Sequence, residues 1–182
     1  MSIDLGTLIS KANEYKRILE NTGEYRKQWP TKMKPLILQT LNEIIKQTEL
    51  KATVEEQDNI ENLEAVVLDL GRSASGISEN LENTDIKRAM IKSNGALIYQ
   101  QLFNGKVMIM TVSPYIEGYG EPKPPKPLEI LRPEELTSSF IIRHVEVFLK
   151  EITEWEDYDD DEPSNKNAFN PIGFHREIIT DE

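Results

Sequence analysis

Residues 86–114 read Ile86-Lys87-Arg88-Ala89-Met90-Ile91-Lys92-Ser93-Asn94-Gly95-Ala96-Leu97-Ile98-Tyr99-Gln100-Gln101-Leu102-Phe103-Asn104-Gly105-Lys106-Val107-Met108-Ile109-Met110-Thr111-Val112-Ser113-Pro114. Two Asn-Gly pairs separate three segments rich in apolar and β-branched residues. Both central positions of a type I′ turn need positive φ, which Asn and Gly tolerate best, and the twist of that turn matches paired strands. The spacing therefore predicts strands over 86–93, 96–103 and 106–114, joined by two tight hairpins into a three-stranded antiparallel meander. Side chains alternate along a strand, so Leu97, Tyr99, Gln101 and Phe103 share one face and Ala96, Ile98, Gln100 and Leu102 the other. Helices are expected on one face of this sheet only.

Upstream, Ala52 and Val54 alternate with polar residues, and Ala65-Val66-Val67-Leu68 is a short apolar run, together adding one or two strands. Before them stand two helical patterns. Leu5, Leu8, Ile9, Ala12, Tyr15, Ile18 and Leu19 form one face of a helix expected to end near Gly23. After a break at Trp29-Pro30, the residues Met33, Leu36, Ile37, Leu41, Ile44 and Ile45 form the face of a second, with Pro35 in its first turn.

Downstream, residues 114–127 hold Pro114, Pro122, Pro124, Pro125 and Pro127 with Gly118 and Gly120, which predicts an extended connection. A last helix is expected from Pro133, with Leu136, Phe140, Ile141, Val145, Phe148, Ile152 and Trp155 along one stripe. The predicted class is α+β: two N-terminal helices, a four- to five-stranded antiparallel β-meander sheet, one C-terminal helix and an acidic tail. Residues 1–156 are expected to form one domain and 157–182 a flexible tail carrying a short apolar docking segment at 169–179. No internal repeat and no heptad run long enough for a coiled coil is evident.

Charge is distributed unevenly over the 182 residues. Of the 21 basic and 32 acidic side chains, residues 1–153 hold 19 and 22, and residues 154–182 hold 2 and 10. A nearly balanced body with an acidic tail argues against nucleic acid, whose affinity comes from basic groups on phosphates, and against anionic membrane surfaces. The chain has no Cys, which excludes disulfides, thiolate nucleophiles and Cys-ligated metals. The opening residues lack a secretory pattern and no apolar run is long enough to span a bilayer, so a cytoplasmic protein is expected.

Candidate chemistry is sparse, and no catalytic, metal or cofactor residue is assigned. Gly71-Arg72-Ser73-Ala74-Ser75-Gly76 has the ingredients of an anion-binding loop but matches no phosphate-binding signature, and a turn or a bulge at a strand end accounts for it better. His144 lies beside the apolar stripe of the last helix and His175 in the tail, with no metal-pair spacing between them. Glu55, Glu56, Asp58, Glu61 and Glu64 offer carboxylates for acid–base work, though such groupings arise freely in an acidic chain and a solvated loop explains them. Tyr115 and Tyr119 among prolines are candidate partner anchors. Phe169, Ile172, Phe174 and Ile178, behind an acidic linker, resemble in physical terms a tethered segment that orders on binding. The leading expectation is a non-enzymatic protein-interaction module, an assembly, adaptor or chaperone-like component with a protein partner or self-association. The alternatives are a small-ligand binder with a cavity between sheet and helices, and a carboxylate enzyme using Glu55, Glu56 and Arg72.

Overall fold

A computed structural model of the chain describes residues 4–82 and 85–158. The α+β class and the order of helices, antiparallel strands and final helix hold. The N-terminal part is helical from residue 6 to residue 48: α1 (Gly6–Gln28), a π-helical turn (Trp29–Met33) and α2 (Lys34–Thr48) follow without a gap. Gly23 does not end α1, contrary to the sequence reading, and at Trp29-Pro30, where a break is expected, the α-helix gives way to the π turn without a gap. Pro30 and Pro35 each lack the N–H that the helical ladder needs. The chain answers by widening one turn, in which the Lys34 N–H donates to the Trp29 carbonyl five residues back.

Eight strands follow: β1 (Thr53–Gln57), β2 (Ala65–Asp69), β3 (Arg72–Asn80), β4 (Lys87–Ser93), β5 (Ala96–Gln101), β6 (Val107–Val112), β7 (Tyr115–Ile116) and β8 (Lys126–Leu131). They form an antiparallel five-stranded sheet, β1-β2-β5-β6-β8, and a three-stranded sheet, β3-β4-β7. The predicted hairpin at Asn104-Gly105 is present as the β5–β6 pair, Ala96 opposite Val112 through Gln101 opposite Val107. Its turn differs in type. Gly105 N–H donates to the Leu102 carbonyl and Leu102 N–H to the Lys106 carbonyl, both at 2.8 Å, and in this turn Gly105 has positive φ while Asn104 does not. That is a three-residue loop with glycine in the left-handed position, not a two-residue type I′ turn.

The hairpin expected at Asn94-Gly95 is not made: β4 pairs with β3 and β7, and β5 with β2 and β6. Here the register explains the error. Asp69 opposes Ala96 in the first sheet and Arg72 opposes Ser93 in the second, one unbroken alignment carried across the gap by Leu70 N–H to Gly95 O and Asn94 N–H to Gly71 O. The segment β2–β3 and the segment β4–β5 are thus a single long antiparallel ribbon that bends from one sheet into the other. Gly71 and Gly95, with φ of +72° and +98°, supply the bend. Asn94 braces it, donating to the Leu70 carbonyl and accepting from the Ser73 hydroxyl. Gly76 then marks a bulge in β3, where the register shifts between Ala74 and Ser78.

Three strands had no counterpart in the sequence reading, the two-residue β7 within the proline-rich connection among them. β3 occupies the stretch weighed as turn, bulge or loop, and β8 occupies the end of the proline-rich connection, where Pro127 is tolerated because β8 is an edge strand. The last helix, α3 (Ser138–Glu156), starts later than expected. Pro133 and Glu134 belong to a separate turn closed by Glu135 N–H to Arg132 O, and the N-cap is Thr137, whose hydroxyl accepts from the Phe140 N–H.

The core lies between one face of the five-stranded sheet and the helices. Leu97 and Tyr99 on β5 and Ile109 on β6 meet Trp29, Met33, Ile37 and Leu41 on the helical N-terminus and Ile141, Val145 and Phe148 on α3. The other face of β5 carries Ile98 and Gln100 partly buried, consistent with helices on one side only. Among the described residues no helix is long and apolar enough to cross a membrane.

Candidate interaction surface and buried polar relay

The α1 stripe read from the sequence is present, and none of the described residues buries it. No residue of α1 is buried, and residues 4–21 are all exposed. Leu5, Leu8, Ile9, Tyr15, Ile18 and Leu19 each keep between 46% and 63% of their surface in water. The α3 stripe, written in the same spacing, buries Ile141, Val145 and Phe148. What separates the two helices is attachment. α3 lies along the sheet, whereas α1 is held at its C-terminal end: Arg26 donates from Nε and Nη2 to the Phe103 carbonyl (2.8 and 2.5 Å), and Gly105 packs so close to Tyr25 that a Cβ there would sit 2.6 Å from the Tyr25 Cβ. Trp29 follows, buried, with its indole N–H donating to Glu64 Oε2 at 2.6 Å.

Among the described residues no tertiary contact buries residues 6–21, and isolated helices of that length are marginal in water. Local features help: Asp4 Oδ1 accepts from the Gly6 N–H, and Lys11–Glu14 is an i,i+3 ion pair. The side chains on the stripe are nonetheless the large aliphatic and aromatic types that gain about 1.5–3 kcal/mol each on burial. Contiguous exposed apolar patches are uncommon on soluble domains, which makes this face the candidate contact surface.

A second arrangement centres on two buried side chains, Tyr99 and His144. Glu129 on β8 accepts from His144 Nε2 and from Arg143, and Tyr99 Oη lies 3.3 Å from His144 Nδ1. His144 sits on the buried face of α3, not on its flank, with its ring 5.7 Å from that of Tyr99 and 6.4 Å from that of Phe140. Burial, the largest influence, holds the His144 imidazole below its ordinary pKa against the pull of Glu129. Burial also opposes ionisation of Glu129, but the bonds from His144 and Arg143 outweigh it and hold the carboxyl below its ordinary value. Burial and the Glu129 charge push the Tyr99 hydroxyl up. One proton arrangement satisfies every group: neutral His144 donates from Nε2 to the carboxylate and accepts at Nδ1 from the Tyr99 hydroxyl. Protonating His144 would turn Nδ1 into a donor and strand the Tyr99 hydrogen in the core.

The relay gives a pH dependence. His144 has a folded pKa below its unfolded value of about 6.5, so its contribution is complete above that pH and is lost as pH falls through the folded value. Glu129 adds a further loss below the ordinary carboxylate range for the same reason. Denaturant titrations at about pH 7.5 and about pH 5.5 should show wild type losing more stability on acidification than His144→Gln. Equal losses would mean that His144 is not held neutral.

The other candidate residues lie apart. Arg72 pairs with Glu117 at 3.2 Å on the three-stranded sheet, while Glu55 and Glu56 are on β1 at the edge of the five-stranded one. Glu56 and Asp58 bind Lys34, and Glu64 holds the Trp29 indole. In the stretch weighed for anion binding, Ser73 bonds Asn94, Ser75 bonds the Met90 carbonyl and Arg72 is paired, so a bent strand with a bulge replaces a ligand loop. Among the described residues no group of three or more His, Asp and Glu is placed to hold a metal ion. Tyr115 sits in β7 opposite Ser93, and Tyr119 in the turn that follows, both half-buried. Phe169, Ile172, Phe174 and Ile178 lie outside the described residues, as does the tail from residue 159.

Sequence reasoning found the α1 stripe and did not foresee its exposure. Periodicity reports that one helix face is apolar, and that signal is the same whether the face meets a core or a partner. No protein-family model, no curated protein and no solved structure gives a significant match to the chain.

Proposed function

We propose that this chain is a non-enzymatic protein-interaction module, an assembly, adaptor or chaperone-like component of the cytoplasm, and that its contact surface is the apolar stripe of α1. The single observation that carries this reading is the exposure of Leu8, Ile9, Tyr15, Ile18 and Leu19 on a helix anchored at one end only. A helix face laid into an apolar partner surface is a recurrent recognition mode, with anchors at i, i+3, i+4 and i+7. The region between sheet and helices is filled by Leu97, Tyr99, Ile109, Ile141 and Phe148, which favours a surface contact over an internal ligand cavity.

The test is affinity capture from native extract with three baits: wild type, Leu8→Glu/Leu19→Glu, and a chain ending at Thr153. Because both leucines are exposed, the double variant should match wild type in circular dichroism and thermal midpoint, yet lose most of the bound partners. Partners kept by the double variant but lost on truncation would move the surface to the tail. Partners unchanged on all three baits would sink the assignment to α1.

A further inference from the structure

We propose that the occupant of the α1 stripe is the α1 stripe of a second copy, packed antiparallel about a two-fold axis that passes between residues 13 and 14. This rests on the reading of α1 as the contact surface and names its partner. Leu5, Leu8, Ala12, Tyr15, Leu19 and Thr22 follow one another at alternating spacings of three and four, the seam of a coiled coil. Laid against itself in reverse, this seam is self-complementary. Leu5 faces Thr22 of the second copy, Leu8 faces Leu19 and Ala12 faces Tyr15, each match occurring twice by symmetry, while Ile9 and Ile18 line the two opposite flanks of the seam.

Side-chain size selects this direction. A parallel pair would place Tyr15 on Tyr15 and leave Ala12 opposite Ala12, a crowd beside a gap. The antiparallel pair seats each tyrosine over an alanine, and interleaving large with small is what close packing requires. The bodies, attached at the C-terminal ends of the helices, then lie at opposite ends of the pair, where they do not compete for space.

Area agrees. With the flanking Ile9 and Ile18 included, six side chains at about half to two-thirds exposure offer on the order of 600 Å² of apolar surface per copy, so pairing hides up to about 1,200 Å², at the lower limit of specific interfaces. Two and a half heptads are too short to stand alone as a coiled coil. Here each helix is already set by the Trp29, Tyr25 and Arg26 anchors, which lowers the ordering cost of association.

The chain has no Cys, so introduced cysteines report without background. Leu8 and Leu19 are eleven residues apart in one helix, about 16 Å, too far for an internal disulfide, while residue 8 of one copy adjoins residue 19 of the other. The expected result is a full-length chain that sediments at twice its own mass at roughly 10–100 µM, with Leu8→Cys/Leu19→Cys oxidising to a covalent dimer and Leu8→Cys alone remaining uncrosslinked. Efficient oxidation of Leu8→Cys alone would establish a parallel pair and overturn the proposal. So would wild type sedimenting as a monomer throughout that range. A monomer that becomes a dimer only when the chain ends at residue 158 would assign the stripe to the tail, and a monomer whose α1 binds only lipid vesicles would assign it to a membrane. A monomer whose Leu8→Glu/Leu19→Glu variant still loses captured partners would retire the self-pairing while leaving the interaction reading intact.

Discussion

Trp29→Ala is expected to be among the most damaging single substitutions in the chain, costing about 3–5 kcal/mol and lowering the thermal midpoint on the order of 10 °C. Trp29 is buried in the π-helical turn, packed in the same core as Met33, Ile37 and Leu41, and its indole N–H donates to Glu64 Oε2. The Glu64 carbonyl in turn accepts from the Gln101 N–H at 2.8 Å, so this one side chain ties the helical N-terminus to the entry of β2 and the end of β5. Most of the loss is the cavity left by the indole. Trp29→Phe separates the parts, because it refills much of the volume and loses chiefly the hydrogen bond to the Glu64 carboxylate, for about 1.5–3 kcal/mol. Denaturant titration of both variants checks this, and a Trp29→Ala protein within 1 kcal/mol of wild type would show that the π turn is not the anchor. The same variant should weaken any α1-dependent association, since α1 would lose the fixed base from which its stripe is presented.

Gly95→Ala is the second large effect, and Gly71→Ala is its control. Both glycines sit at the bend of the β2–β3/β4–β5 ribbon with positive φ, so either substitution incurs the left-handed strain of about 1 kcal/mol. Their surroundings differ. A Cβ at Gly71 meets nothing within 4 Å, whereas a Cβ at Gly95 would lie 2.8 Å from the Val112 carbonyl oxygen and 2.8 Å from Ile152 Cδ1. The Ile152 methyl can move, but the Val112 carbonyl belongs to the β6 backbone opposite β5 and yields only by disturbing the sheet. Gly95→Ala should therefore cost about 2–4 kcal/mol, and Gly71→Ala about 1 kcal/mol. Equal costs would show that the backbone conformation alone, and not the approach of β5 to β6 and α3, makes Gly95 necessary.

The bend at Gly95 also shows what a turn signal can and cannot convey. Asn-Gly at 94–95 and at 104–105 are chemically the same dipeptide, and the reading treated them alike. One closes a hairpin; the other carries a strand from one sheet to the next. Asn-Gly states that the backbone can reach positive φ, but the partner of each flanking strand is set by pairings from far along the chain. β2 claims β5, and β3 claims β4, because the Ala65–Ala74 segment runs alongside both in one register. The same non-local pairing explains why β3 and β8 went unread: neither has strand-like composition, and edge strands with bulges and proline take their conformation from their neighbours.

His144 illustrates the complementary case. Its spacing relative to Ile141, Val145 and Phe148 places it close to the core face of α3, which is legible from periodicity. Its hydrogen-bond partners come from β5 and β8, forty-five residues before it in one case and fifteen in the other. No local pattern announces that a tyrosine and a glutamate from different strands will meet one imidazole.

Taken alone, the sequence determined the α+β class, an antiparallel sheet, the β5–β6 hairpin, the two alternating faces of β5 and the apolar faces of all three helices, because periodicity, turn chemistry and capping act over a few residues and are written in those residues. Only the tertiary structure decided which strands pair across the Gly71–Gly95 bend, how Tyr99, Glu129 and His144 share their protons, and which apolar helix face stays open. α1 and α3 carry stripes of the same spacing. One is buried because its helix lies along the sheet; the other faces water because Tyr25, Arg26 and Trp29 fasten only its last turn. Burial depends on where the rest of the chain goes, and that is the quantity a local pattern does not contain.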